Sequence, residues 1–332
     1  MSRSSGSVGL SLTLLSAATF ATSGSFAGSL LAAGWTPLAA VTVRVAVAAV
    51  VLTVPALLAL RGHVARLRRG ATRTLVYGVA AVAGAQLCYF NAVEHLSVAV
   101  ALLLEYSGTL LVVGWLWLRH GNRPRRFTVL GSVAAVAGLA LVLDLLGNVQ
   151  LDPVGVLWGL GAAVGLATYF VLSAGTEDPL PPLVVAWGGL AVGSVALGAA
   201  AVLGALPVHA PRTDVVLLDT EVSWLVPVLG LSLVAAVVAY LSGIAGARLL
   251  GAKIASFVGL TEVLFAVIFA WLLLGQELST VQLAGGLLVV VGIALVQLDQ
   301  ARSDAPTNAE DLGASPAIAM TTRARLDEAA RP

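Results

Sequence analysis

Ten apolar runs, each close to the ~20 residues needed to cross a ~30 Å hydrocarbon core, divide this chain of 332 residues. They cover 8–32, 36–60, 74–93, 97–118, 127–147, 154–174, 182–205, 222–247, 253–274 and 281–298. With the N-terminus on the cytosolic side, sixteen of the eighteen Lys and Arg residues fall in cytosolic segments, as the positive-inside rule requires. These are Arg3; Arg61, Arg66, Arg68, Arg69 and Arg73; Arg119, Arg123, Arg125 and Arg126; Arg248 and Lys253; and Arg302, Arg323, Arg325 and Arg331. Arg212 lies in an external loop and Arg44 lies inside the second run. A wrong number of spans would scramble this sorting, so the parity checks the count together with the orientation. The expectation is an all-α integral protein of the inner or plasma membrane, multi-pass, with both termini cytosolic.

Composition closes other routes. With 59% hydrophobic and only 11% charged residues, a water-soluble domain would lack the polar surface to cover itself. Net charge is +1, so the basic residues serve orientation and contact with anionic head groups, and nothing points to nucleic acid. Cys88 is alone and can form neither an internal disulfide nor a metal cluster; it reads as a small core residue. There is no phosphate-binding loop, no nucleophile elbow and no His pair at metal-ligand spacing, so no enzyme chemistry, cofactor or metal is expected. His63, His95, His120 and His209 fall in loops or at span ends, and Trp35, Trp117 and Trp224 fit an interfacial aromatic belt. Residues 1–7 read as a cytosolic N-terminus leading into an uncleaved first span. Residues 299–332, rich in mixed charge, Pro and small side chains, offer no apolar face and read as a disordered cytosolic tail.

The chain repeats itself at half length. "GSVAAVAGLALVLD" from Gly131 and "GGLLVVVGIALVQL" from Gly285 align Gly131 and Gly138 with Gly285 and Gly292, 154 residues apart. Glu105 stands ten residues before Trp115 in the fourth run and Glu262 nine before Trp271 in the ninth, a match with a one-residue slip. Two five-helix units, 8–147 and 154–298, follow. An odd number of spans per unit forces the second to enter the bilayer with opposite polarity, which is an inverted repeat and the geometry of alternating access.

The segments "TVRVAVAAVVL", "AVEHLSVAVALLLEYSGTLLVVGWLWL" and "TEVLFAVIFAWLLLGQELSTVQLAGGLLVVVGIAL" resemble EamA-type members of the drug/metabolite transporter superfamily, over roughly residues 8–298. "LLLEYSGTLL" looks closest to the branch holding threonine and homoserine exporters. The resemblance implies ten spans in two repeats and a secondary exporter of small metabolites. Many relatives carry Pro after the acidic residue of the ninth span, where this chain has Val263.

Ionisable groups at membrane depth need a partner or a wet cavity. Arg44 lies eight residues inside Thr36 and Glu105 eight inside Ser97, about 12 Å below the outer surface in each case, a matched depth that would allow an ion pair. The alternatives are a static or snorkelling charge and a group facing the substrate path. Glu262 lies about 14 Å from the cytosolic side with no basic residue at its depth, and could exchange protons as a cavity opens to each face or act as a protonated interhelical donor. Tyr89, Asn91, Tyr240 and Trp187 complete the candidate substrate or proton pathway, and Gln86, Tyr106, Ser107, Tyr169 and the hydroxyls of Thr19, Thr22, Ser23 and Ser25 add polar character within the spans. The expected activity is export of an amino acid or related small molecule, with proton coupling as one energy source. A lipid-modifying membrane enzyme and a non-transporting scaffold are the competing classes, and a core without a cavity would favour the scaffold.

Overall fold

The structure is a computed structural model that describes residues 3–61, 68–96, 98–121, 123–143, 152–175, 180–274 and 279–304. Ser97, Arg66, His63, the end of the fifth run at 144–147 and the tail beyond Asp304 lie outside the described residues. Among the described residues ten apolar helices follow one another: α1 (Ser5–Ala32), α2 (Pro37–Leu60), α3 (Ala71–Ala92), α4 (Val100–Arg119), α5 (Arg126–Val142), α6 (Pro153–Ala174), α7 (Pro182–Val202), α8 (Leu225–Leu250), α9 (Ala252–Phe269) and α10 (Thr280–Gln300). Nine have at least 18 residues and the length and hydropathy to cross a membrane; α5 has 17. Large apolar side chains such as Val50, Val133, Leu157, Val195 and Leu287 face outward, as a surface bathed in lipid requires.

Three departures from the sequence reading stand out. The loop between α7 and α8 holds an antiparallel hairpin, β1 (Val215–Leu217) and β2 (Thr220–Val222), so the described residues are not wholly α-helical. Its turn places Leu218 and Asp219 at φ 51° and 58°, a conformation whose usual marker is Gly or Asn, which is why the sequence did not announce it. The helix containing α10 runs on to Asp304 and Asp299 is buried, so the helix continues past residue 298 into the segment that reads as a tail. Trp35 is buried as well: its indole N–H donates to Pro211 O at 2.9 Å and its ring lies 5.9 Å from that of Trp224. These two pin the α1–α2 corner to the α7–α8 loop; Trp117 is exposed, as a belt residue should be.

Several helices are locally irregular. α1 turns at Thr22, α4 at Ser107 and α9 at Leu260. At each, a hydroxyl turns back on the carbonyl three residues earlier: Thr22 Oγ1 to Thr19 O at 2.7 Å, Ser107 Oγ to Leu104 O at 2.6 Å, Thr261 Oγ1 to Val258 O at 2.7 Å. Such back-bonding competes with the helical ladder and bends it. The break in α9 therefore needs no proline. α3 and α8 each contain π-helical turns, over Tyr77–Gly84 and Gly230–Val238.

α5 and α10, by contrast, are unbroken and cross at glycines. A Cβ on Gly131 would stand 2.7 Å from Gly292 O, and one on Gly138 would stand 2.7 Å from Gly285 O. The reverse pairs, Gly292 to Gly131 O and Gly285 to Gly138 O, are equally close. Only glycine permits this backbone approach.

Candidate functional site

The broken helices surround a cavity in two lobes that share Phe20, Gln86, Glu105 and Glu262. The larger lobe, about 260 Å³, is walled by the second half of α1 from Ala21 to Leu31, by Arg44, by Tyr89 and Phe90, and by Val263 and Ala266. The smaller, about 70 Å³, lies deeper, between Thr13, Ser16, Tyr106, Tyr169, Tyr240 and Gly243. Each has room for water and enough polar lining to hold it.

Glu105 and Glu262 both stand next to a helix break, on opposite sides of it: two residues before the break in α4 and two after the break in α9. Both keep partial solvent accessibility because they line the cavity rather than the core. The Tyr106 hydroxyl lies beside the Glu262 carboxyl. Among the described residues no basic group lies within 4.0 Å of either glutamate.

Arg44 corrects an expectation. It is buried, but its Nη1 donates to Gln86 Oε1 at 2.8 Å and its Nη2 to Ala235 O in the π-helical part of α8, while its Cζ sits 5.8 Å from the centre of the Phe20 ring. It forms no ion pair with Glu105. Similar depth brought the two to one cavity, but the azimuth of α2 turns the guanidinium toward α3 and α8. Its charge is dispersed over an amide, a carbonyl and an aromatic face, which together satisfy a buried cation without cancelling it.

Of the sequence candidates, Arg44, Tyr89, Glu105, Tyr240 and Glu262 reach the cavity wall. Asn91 and Trp187 do not line it. Asn91 is buried and donates to Leu87 O at 2.7 Å along its own helix. The Trp187 indole donates to Thr53 Oγ1 at 3.1 Å, linking α7 to α2. The residues that sequence reasoning passed over are Phe20, Thr13 and Ser16 of α1. Phe20 packs edge-on to Tyr240 at 5.3 Å and Tyr169 at 6.5 Å, so three aromatic rings converge at the waist between the lobes. No periodicity marks Phe20, since every neighbour on α1 is as apolar or as small.

One hydroxyl on these walls, Ser23 Oγ in the larger lobe, is enclosed and has no hydrogen-bond partner among the described residues, and Tyr169 OH in the smaller lobe lies beside Ser16. Ser16, beside Tyr169, directs its own hydroxyl to Ala239 O at 2.8 Å. Orphaned polar groups at membrane depth are costly, so the cavity is built for contents that hydrogen-bond.

The comparisons with known proteins follow this geometry. An uncharacterized transporter of Bacillus subtilis (strain 168), YwfM, is 26% identical over 218 residues, covering 64% of this chain and 68% of the relative. The uncharacterized inner membrane transporter YicL of Salmonella typhimurium is 24% identical over 241 residues, 71% of this chain and 76% of the relative. A solved crystal structure shares the fold with a TM-score of 0.72 at 20% identity, over 91% of this chain and 99% of its own. The profile of the EamA-like transporter family matches twice, at residues 7–144 and 153–298, and so spans nearly the whole helical bundle. The chain is a multi-pass membrane protein and belongs to the EamA-like transporter family.

Proposed function

We propose that this protein is a secondary transporter that exports an amino acid or related small metabolite across the inner membrane by alternating access, with both termini in the cytosol. One observation carries the reading: a cavity at the centre of the bundle, largely apolar in its lining but with Arg44 on one wall and Glu105 and Glu262 on the others. A substrate bearing both an anionic and a cationic group complements such a wall; a purely apolar one would leave it unsatisfied. The likeness of "LLLEYSGTLL" to threonine and homoserine exporters supports the same class, and the name of the Salmonella relative supports the location.

Alternating access rests on two inverted repeats, for which four features speak. The family profile matches each half. The π-helical turns at Tyr77–Gly84 recur at Gly230–Val238, offset by the same 154 residues as the glycines, within one residue at the start. The breaks at Ser107 and Leu260 correspond with a slip of one. In the α5–α10 seam, Gly131 meets the equivalent of Gly138 and Gly138 meets the equivalent of Gly131, the reciprocal pattern of a two-fold axis. Coupling to protons is assigned to a cavity glutamate, Glu262 first: like Glu105 it lines the cavity and, among the described residues, has no basic group within 4.0 Å, so it can be neutral or charged as the cavity's exposure changes.

The test is uptake and efflux of a labelled metabolite panel in proteoliposomes. Saturable movement of at least one amino acid or related amine, abolished by Arg44→Ala or Glu105→Ala, is the expected outcome; a folded protein that moves none of the panel contradicts the substrate class. Orientation is checked with cysteines at Asp214 and Arg119 in a Cys88→Ala background. The first should react with an impermeant thiol reagent in intact cells and the second should not.

A further inference from the structure

A second, separate cavity lies at the end of the bundle opposite the hairpin, between the α4–α5 loop, the start of α9 and the end of α10. Its volume is about 610 Å³, and its lining is more charged than that of the central cavity: Arg123, Arg125, Lys253 and Asp299, with Thr128 and Gln300. The single carboxylate is already engaged. Thr128 Oγ1 donates to Asp299 Oδ2 at 2.5 Å, and Lys253 Nζ lies 3.8 Å from the same oxygen. Asp299 itself is buried, so it cannot swing out to pair with the arginines. Arg123 and Arg125 are exposed at the cavity mouth and form no ion pair among the described residues. The lining thus carries an excess of two positive charges.

Two helices also begin here. The residue preceding α5, Arg125, and the one preceding α9, Gly251 at φ 80°, provide no side-chain cap. Helix starts carry partial positive charge, and here they add to the cationic side chains around one space. Positive potential from three side chains and two helix starts, in a cavity too large for a lone carboxylate, suits a tetrahedral oxyanion that accepts several donors at once. One side of the cavity is apolar, formed by Val113 and Leu116, and it adjoins the exposed Trp117 and Leu118 on the outer surface of α4.

We propose that this cavity binds a phosphate-bearing anion, held by Arg123, Arg125 and Lys253, which bridges the α4–α5 corner to the start of α9 and the end of α10. The phosphate belongs either to the head group of an anionic lipid whose chains lie along Leu116 and Leu118, or to a soluble phosphate compound. The site does not depend on what the central cavity transports.

The full-length protein, purified in detergent and stripped of lipid, is titrated with phosphatidylglycerol, phosphatidylcholine and inorganic phosphate, with lipid retention followed by native mass spectrometry and stability by thermal unfolding. Phosphatidylglycerol should be retained and raise the melting temperature while phosphatidylcholine does neither. Binding should weaken about tenfold or more in the Arg123→Gln, Arg125→Gln double variant. The Arg119→Gln, Arg126→Gln variant removes the same charge from the same loop but from residues that do not line the cavity, and should bind as the wild type does. Protection by inorganic phosphate with the same variant pattern, and none by phosphatidylglycerol, also supports the anion site and assigns it to a soluble ligand. Equal weakening in both double variants, or no anion binding in the wild type, overturns the proposal.

Discussion

α4 and α5 are neighbours in sequence, as are α9 and α10, yet within each pair the two helices behave oppositely. α5 and α10 are continuous and lock through four glycines whose backbones touch. α4 and α9 are each broken where a hydroxyl, Ser107 or Thr261, bonds back to a carbonyl of the preceding turn, and each places a carboxylate beside the break, lining the cavity. Each half of the molecule thus supplies one member to a rigid seam and one to a cavity wall. The seam is where close packing holds α5 against α10, and in the proposed mechanism the bends are where a wall would move.

The largest effect expected is at the seam. Gly138→Leu or Gly285→Leu would drive a side chain into the facing backbone, where even a Cβ would stand 2.7 Å from a carbonyl oxygen. A loss of about 3 kcal/mol, or failure to accumulate folded protein, is expected, read as thermal stability and monodispersity in detergent. Glu105→Gln in the wall should leave the melting temperature nearly unchanged by the same measurement. A seam leucine that is tolerated would remove the contrast between the regions.

Next comes Arg44. Arg44→Ala leaves Gln86 and Ala235 O without their donor and is expected to destabilise by about 2 kcal/mol. A double-mutant cycle should show coupling of about 1 kcal/mol between Arg44 and Gln86, with Arg44 and Glu105 additive within about 0.5 kcal/mol. Strong coupling to Glu105 instead would mean that the two pair in a conformation other than this one.

Smaller in stability, but sharper for the comparison, are Ser107→Ala and Thr261→Val. Removing the hydroxyl restores the helical ladder, so stability should shift by less than about 1 kcal/mol while transport of the substrate found in the panel falls severalfold. Unchanged transport would show that the bends are incidental. The smallest effect is at Asp152, which caps α6 by accepting from Val154 N at 2.8 Å and faces His95 Nδ1 at 3.0 Å. Chiefly the Val154 N–H, and secondarily His95, hold its carboxyl below the usual aspartate range. Its contribution is therefore present above the unfolded carboxylate pKa and is lost as pH falls through the lower folded value. Asp152→Asn should flatten the acid side of the stability profile slightly and leave neutral pH nearly untouched.

Much of this was legible in the chain. Length and hydropathy located the ten helices seen among the described residues, because a bilayer admits few alternatives; the glycines at 131, 138, 285 and 292 marked a repeat, but not that they meet in one seam. Depth placed Arg44 and Glu105 at one level, but did not show that Glu262 shares their cavity. What sequence could not supply was azimuth. Trp187 and Asn91 are as polar as Tyr89 and Tyr240, but they face the α2–α7 contact and their own helix, respectively. Arg44 found an amide and a carbonyl rather than a carboxylate for the same reason. The hairpin stayed hidden because its turn residues, Leu218 and Asp219, adopt positive φ without the usual signal.

The most direct measurement is on Glu262→Gln in proteoliposomes, using that same substrate under an imposed pH gradient and, separately, in counterflow without one. Glutamine mimics the protonated side chain. If Glu262 exchanges the proton that drives export, the variant folds, loses gradient-driven accumulation and keeps substrate-for-substrate exchange, which requires no net proton movement. If it accumulates substrate under the gradient as well as the wild type does, Glu262 is a structural hydrogen-bonding group, and proton coupling at the bend of α9 is contradicted.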